Sequence, residues 1–205
     1  MSLIIDCQLF PSILYIMKLT DYKYIKIEKY ESFQKMSFRN RYVISGANGI
    51  QALTVPVLGG REQKSLITEV RIDNSTAWKT KHWRSLLSAY SKAPFFGYYA
   101  PYIRDLIFSE EEFLFSLNIK ILSWICKTLK INVIIEFTES FIRNYEEETD
   151  CRNYILPKSF QNPAYKVPYY SQVFEDRIGF QPNLSIIDLI LCEGPNSINL
   201  ITRYS

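Results

Sequence analysis

The chain has 205 residues, of which 47% are hydrophobic and 22% charged; this is ordinary for a globular protein and is the size of one large domain. A formal net charge of +3 is too weak for a nucleic-acid-binding face, although local clusters of cations leave a small anionic ligand open. Four cysteines without a CxxC pair and a single histidine argue against a disulfide frame and against a metal centre built on histidine.

The cysteine pattern predicts reduced thiols and a cytoplasmic setting. No basic stretch followed by an apolar core opens the chain, and no apolar run reaches about 18 residues, so neither a signal peptide nor a membrane span is expected. Fifteen Tyr beside 13 Phe and 3 Trp point to half-buried walls around a polar cleft as well as a dry core.

Taken in order, Leu3–Leu9 predicts a buried first strand. Pro11, followed by Ile13, Leu14 and Met17 at helical spacing, opens a short helix. Tyr22–Tyr30 alternates as a second strand. Strand, helix and strand in succession predict a βαβ start with a parallel pair. Arg41–Ser45 and Ile50–Val57 are strands joined at Gly46-Ala47-Asn48-Gly49, the clearest hairpin signal in the chain.

Gly59-Gly60 opens a loop carrying Arg61 and Lys64, and Ile67–Ile72 reads as a further strand. Asp73-Asn74-Ser75-Thr76 offers N-caps for a helix running to about Ala93, with an apolar stripe of Trp83, Leu86, Leu87 and Tyr90. Residues 95–109 are helical after Pro101. Residues 111–129 repeat apolar side chains every three or four positions, with Glu110–Glu112 suited to the helix N-terminus.

Asn132–Phe137 is a short strand. Residues 143–166, punctuated by Pro157 and Pro163, form a long loop of the kind that carries function. Ser185–Cys192 and Pro195–Ile201 close the chain as two helices, with Gly194 as C-cap between them. The expected architecture is α/β: a single domain over 1–205, a mixed sheet made of the βαβ start and the hairpin, flanking helices, and a helical C-terminal half.

The chemistry concentrates around Lys35–Val57. Lys35, Arg39 and Arg41 fall on one face of an extended segment, where guanidinium forks suit phosphate or carboxylate. An edge strand kept soluble by its charges explains the same pattern. His82, four residues after Trp78 and four before Leu86, sits on the border of the helix stripe. It is either a general base with one nitrogen facing a cleft or a satisfied structural histidine.

Asp73 and Asp188 read as helix caps, and Asp150 with Arg152 as a surface pair. Cys7, at the end of the first strand, could pair with His82 as a nucleophile, but free cysteine is usually a small buried hydrophobe. No nucleotide or metal motif is present, so no cofactor is named.

Several stretches together resemble the WbqC-like family. They are Gln8-Leu9-Phe10-Pro11, Gln34–Arg41, Asn48-Gly49 with Val55-Pro56-Val57, and Trp78–Trp83 with Tyr90 and Pro94. In the tail they are Tyr170–Phe174, Gly179-Phe180, Pro182–Leu189 and Glu193-Gly194-Pro195. Leu9 stands where the family often has Tyr, and Ser12 where a second Pro is common.

The resemblance implies a role in bacterial surface-polysaccharide (O-antigen) synthesis, with glycyl or aminoacyl transfer to a nucleotide-linked amino sugar as the implied activity. On that reading His82 and Lys35 are catalytic. Gln8, Phe10, Pro11, Arg39, Asn40, Arg41, Trp78 and Lys81 bind an anionic nucleotide-sugar. The alternative is a non-catalytic module that recognises a sugar or carrier through Tyr and Trp rings.

Overall fold

The computed structural model describes residues 2–59 and 65–204; Gly60, Arg61 and Lys64 of the expected loop lie outside them. Four strands form one wholly parallel sheet in the order β5-β2-β1-β6, where β1 is Leu3–Asp6, β2 Tyr24–Glu28, β5 Ile134–Phe137 and β6 Thr149–Asp150. The βαβ start is as the sequence predicts. The antiparallel hairpin of β3 (Arg41–Gly46) and β4 (Gly49–Thr54) stands as its own two-stranded sheet. Parallel and antiparallel pairing are thus segregated between two sheets.

The register pairs Leu3 with Ile25 and Ile5 with Ile27, all four buried in the core. Alternation puts Ile4, Asp6, Lys26 and Glu28 on the opposite face. That face is polar, and residues 138–153 cover it: Thr138 donates to Glu28, Glu148 pairs with Lys26, and Arg152 reaches Glu28. All four parallel strands end on the same edge, at Asp6, Glu28, Phe137 and Asp150. The chain leaves β1 for β2 on one side and later returns to β6 on the other. The gap beyond the β1 and β6 ends is therefore a topological switch point, where open α/β sheets bind ligands.

Helix α1 (Ile13–Thr20) is capped by Ser12, and Asn183 Oδ1 accepts from the Leu14 amide at 2.8 Å, tying the C-terminal segment to the N-terminal helix. Helix α2 (Trp78–Tyr90) starts later than the sequence suggests. Asp73 spends its side chain on Ser75, and Asn74 accepts from the Trp78 indole, so neither caps the helix.

Helices α3 (Phe96–Ile107, with Pro101 inside it) and α4 (Leu114–Leu129) follow. The short α5 (Glu175–Ile178), then α6 (Ile186–Glu193) and α7 (Ser197–Tyr204), complete the helical C-terminal half. One hydrophobic core cluster takes residues from β1 through α7.

Two expectations are corrected. Ile67–Ile72 is not a strand: Ile67–Glu69 is a 3₁₀ turn, and only isolated bridges, Val57 to Ile72 and Arg71 to Phe113, follow. Burial of Ile67, Val70 and Ile72 fixes this segment without a ladder. The 143–166 loop also contains β6, which two residues of ladder to β1 suffice to define.

Candidate functional site

The carboxyl edge of the parallel sheet carries a buried ionic cluster. Arg39, fully buried, sits in the turn between β2 and β3, with its Nε donating to Glu31 Oε1 at 2.7 Å and its Nη2 to Glu31 Oε2 in a fork. Nη2 also donates to Asn153 Oδ1 at 3.0 Å, and Nη1 lies 3.7 Å from Asp6 Oδ2. Asp6 accepts from the Asn153 amide at 2.8 Å and from Gln8 Nε2 at 3.1 Å.

Beside it, Glu28 accepts from Thr138 and the Tyr30 amide and pairs with Arg152, whose guanidinium also forks onto Asp150. Arg39 is held in place by its own backbone: its carbonyl accepts from Asn118 of α4 at 2.8 Å, and the neighbouring Phe38 carbonyl from the Leu9 amide.

Three carboxylates in this cluster, Asp6, Glu28 and Glu31, are almost wholly buried. Burial lifts the Glu31 carboxyl above its usual range, and the hydrogen bonds and charge of Arg39 offset only part of that. Two buried polar atoms in the cluster make no hydrogen bond, Gln8 Oε1 and Arg39 Nη1, the latter having only its 3.7 Å ion pair with Asp6. Buried groups of this kind mark strain, bound water or a place for a ligand. Thr138 joins the cluster to an open hollow of about 520 Å³ lined by Lys26, Phe137, Thr138, Tyr145 and Glu148 among others.

His82 lies elsewhere. It is 2% exposed, with Nδ1 3.4 Å from the Tyr42 hydroxyl and Nε2 3.1 Å from the Thr54 carbonyl, and Trp78 packs edge-on against it. The buried residues of α2 are Trp78, His82, Leu86, Ala89 and Tyr90. The stripe is rotated from the expected one, with Leu87 exposed and His82 inside. Both ring nitrogens are engaged with the β3–β4 hairpin, and their partners are not those of Arg39.

Nor do the cations converge. Residues 34–40 turn rather than extend, so Lys35 is exposed while Arg39 is buried, and Arg41 reaches Met36 Sδ at 3.4 Å. Asn40 exchanges hydrogen bonds with Val55 and so prolongs the hairpin. Trp78 is buried, and Lys81 borders a shallow hollow with Gln51, Arg84 and Ser85. Phe10 rests on Tyr42 with ring centres 4.9 Å apart, in a left-handed backbone conformation with φ +40°, and Pro11 follows it under α1. Of the expected site residues, the structure brings together Gln8 and Arg39, with Asp6 and Glu31 added.

Asn153 escaped the sequence reading, which takes Arg152 only as a surface partner of Asp150. The Asp150–Arg152 pair is no loose surface contact, because the Arg152 side chain is 8% exposed and bridges two acids. Cys7 is buried, and burial together with Asp6 and Glu31 pushes its thiol well up, the opposite of what a nucleophile needs. Asp188 does not cap a helix. It is buried within α6 and accepts from Tyr90 at 2.5 Å and Tyr170 at 2.7 Å.

Asp188 and His82 act on stability in opposite directions. Burial raises Asp188 from 3.8 to about 6, so its contribution is complete below the unfolded value and is lost as pH rises through about 6. Burial lowers His82 from 6.5 to about 4, so its contribution is present above 6.5 and is lost as pH falls toward 4. Across pH 4–6.5 the two slopes oppose each other. Urea midpoints of Asp188→Asn are expected to rise with pH across this window relative to wild type, and those of His82→Gln to fall. Parallel curves would refute the assignment.

These features define an α/β protein with a buried acid–guanidinium site at the carboxyl edge of a parallel sheet. The chain belongs to the WbqC-like protein family, whose model matches residues 7–162. It is similar to the uncharacterized protein Rv1507c of Mycobacterium tuberculosis (strain ATCC 25618 / H37Rv), 26% identical over 199 residues and covering 84% of each chain. No solved structure matches the chain. Among the described residues no helix is long and apolar enough to cross a membrane.

Proposed function

We propose that the protein is a transferase of surface-polysaccharide synthesis that passes an aminoacyl group, glycyl in the simplest case, to a nucleotide-linked amino sugar. The reading rests on the family together with one observation. Arg39 Nη1 and Gln8 Oε1, an unspent donor and an unspent acceptor, sit beside Asp6 and Glu31 at the switch point of the sheet.

In this reading Glu31 takes the proton from the acceptor amine, which its raised carboxyl pKa suits. The amine nitrogen bonds to the acyl carbon of an activated aminoacyl donor, whose leaving group departs with the bonding pair. Arg39 Nη1 faces the developing acyl oxyanion. Lys35 and Arg41 take the diphosphate from outside. His82 is a positioning residue that holds Tyr42 and through it Phe10.

Mass spectrometry of a nucleotide-linked amino sugar incubated with an activated glycine donor tests this. Glu31→Gln is expected to lower turnover by about 10²–10⁴-fold, and His82→Gln to keep turnover once folded. Equal turnover in Glu31→Gln and wild type would reject the base assignment.

A second reading, a sugar- or carrier-binding module without chemistry, is favoured by the cover that Asn153 places over Asp6 and Arg39. Calorimetric binding of the nucleotide-sugar with no product under any donor would select it.

A further inference from the structure

On a different face, α3 and α4 enclose a hollow of about 380 Å³ lined by Tyr98, Tyr99, Tyr102, Trp124, Lys127 and Thr128. The α3 residues recur at i, i+1 and i+4 and the α4 residues at i, i+3 and i+4, so each set shares a helix face. Tyr98 is 66% exposed and Tyr102 51%, an unusual placement for two large rings one turn apart. Tyr98 packs edge-on against Tyr99 with ring centres 4.7 Å apart and is tilted to Tyr102 at 6.3 Å, and the exposure of Tyr98 and Tyr102 leaves much of their ring surface open to solvent.

The polar groups of this hollow are unspent. Among the described residues the hydroxyls of Tyr98, Tyr99 and Tyr102 and the Trp124 indole N–H make no hydrogen bond, whereas buried Tyr15, Tyr90 and Tyr170 all use theirs. No lining residue is aliphatic, and all six carry a donor.

We propose that this hollow binds a carbohydrate, one or two pyranose rings of a glycan. A pyranose offers a C–H face that the electron-rich ring faces attract, and a rim of hydroxyls that phenol, indole, hydroxyl and ammonium groups can bond. The volume falls in the range of small-molecule sites, roughly 300–1,000 Å³. Aromatic rings also line protein interfaces, so a second copy of the chain is the competing occupant that the test below separates from a glycan. Lys127 is the one charge and no carboxylate lines the hollow, so neutral or acidic sugars fit and cationic ones do not. The inference stands on this surface alone and does not need the transfer reaction.

The test is saturation-transfer NMR and calorimetry with maltotriose, chitotriose and a galacturonic acid trimer, on wild type, Tyr98→Ala and Tyr102→Ala. Both side chains are exposed, and thermal melts check that the variants stay folded. Saturable binding of at least one trimer is expected, weakened about tenfold or more by either substitution, which corresponds to about 1.4 kcal/mol. Three results would overturn the proposal: no binding of any trimer, binding that neither substitution changes, or a concentration-dependent dimer that the substitutions abolish. A wild type that binds a trimer but transfers no aminoacyl group would uphold the glycan site and reject the transferase.

Discussion

Arg39→Met is expected to lose about 3–5 kcal/mol of stability, read as a fall in the urea midpoint at unchanged slope. The guanidinium is fully buried, and among the described residues it alone pairs with Glu31 and with Asp6. Methionine replaces the apolar stem of the side chain but not the guanidinium, and leaves two desolvated carboxylates without it. A domain of this size has roughly 5–15 kcal/mol in all, so the loss is a large share of it.

Arg39→Lys should fall between the two, since an ammonium cannot reproduce the two-point fork onto Glu31. Adding Glu31→Gln to Arg39→Met should restore part of the loss, because it removes one of the stranded charges. A loss of less than about 1 kcal/mol in Arg39→Met is what an exposed pair would give, and it would show that water reaches the cluster.

The same residue shows how far the sequence could be read. Arg39 was picked out as one of three cations on an extended face, and that reasoning used the right residue for the wrong cause. Period-two alternation needs a strand, and residues 34–40 turn, with Met36 at φ +55°. The turn sends Lys35 to solvent and Arg39 to the interior. What makes Arg39 special is Glu31, eight residues earlier, together with Asp6 and Asn153 from other parts of the chain. No local pattern encodes those distances.

The fold was more legible than the site because its signals are local. The βαβ start follows from an apolar run, a proline-opened helix and an alternating run, and the hairpin follows from glycines bracketing a two-residue turn at Ala47-Asn48. Strand β6 was invisible because two residues carry no periodicity. His82 was misplaced by a fraction of a turn. Trp83 and Leu87 look as apolar as Trp78 and Leu86, and only the hairpin packed against α2 decides which side is inside. Tertiary packing sets that rotation, and it turned the border imidazole into one held at both nitrogens.

Gly194→Ala is the other large expected loss, about 2–6 kcal/mol, and it tests how the C-terminal helices are seated. Gly194 ends α6 at φ +53° and ψ −128°, a sparsely populated region that costs a side-chain-bearing residue about 1–3 kcal/mol. A Cβ added there would lie 2.4 Å from Phe95 Cδ1 and 2.6 Å from its Cγ, and overpacking of that kind costs a further 1–3 kcal/mol or so. The ring cannot simply retreat, because the Phe95 amide is tied to the Leu191 carbonyl at 3.0 Å, so α3 and α6 approach as a unit.

Phe95→Ala in the Gly194→Ala background separates the two causes, because it removes the Cγ, Cδ1 and Cε1 atoms that the new Cβ would meet. It should recover the packing part and leave the backbone part. Thermal and urea unfolding of the two single variants and the double would give the coupling between positions 95 and 194, expected to exceed about 1 kcal/mol. Additive losses would mean that the glycine is required only for its backbone angle and that Phe95 does not set the distance between the two helices.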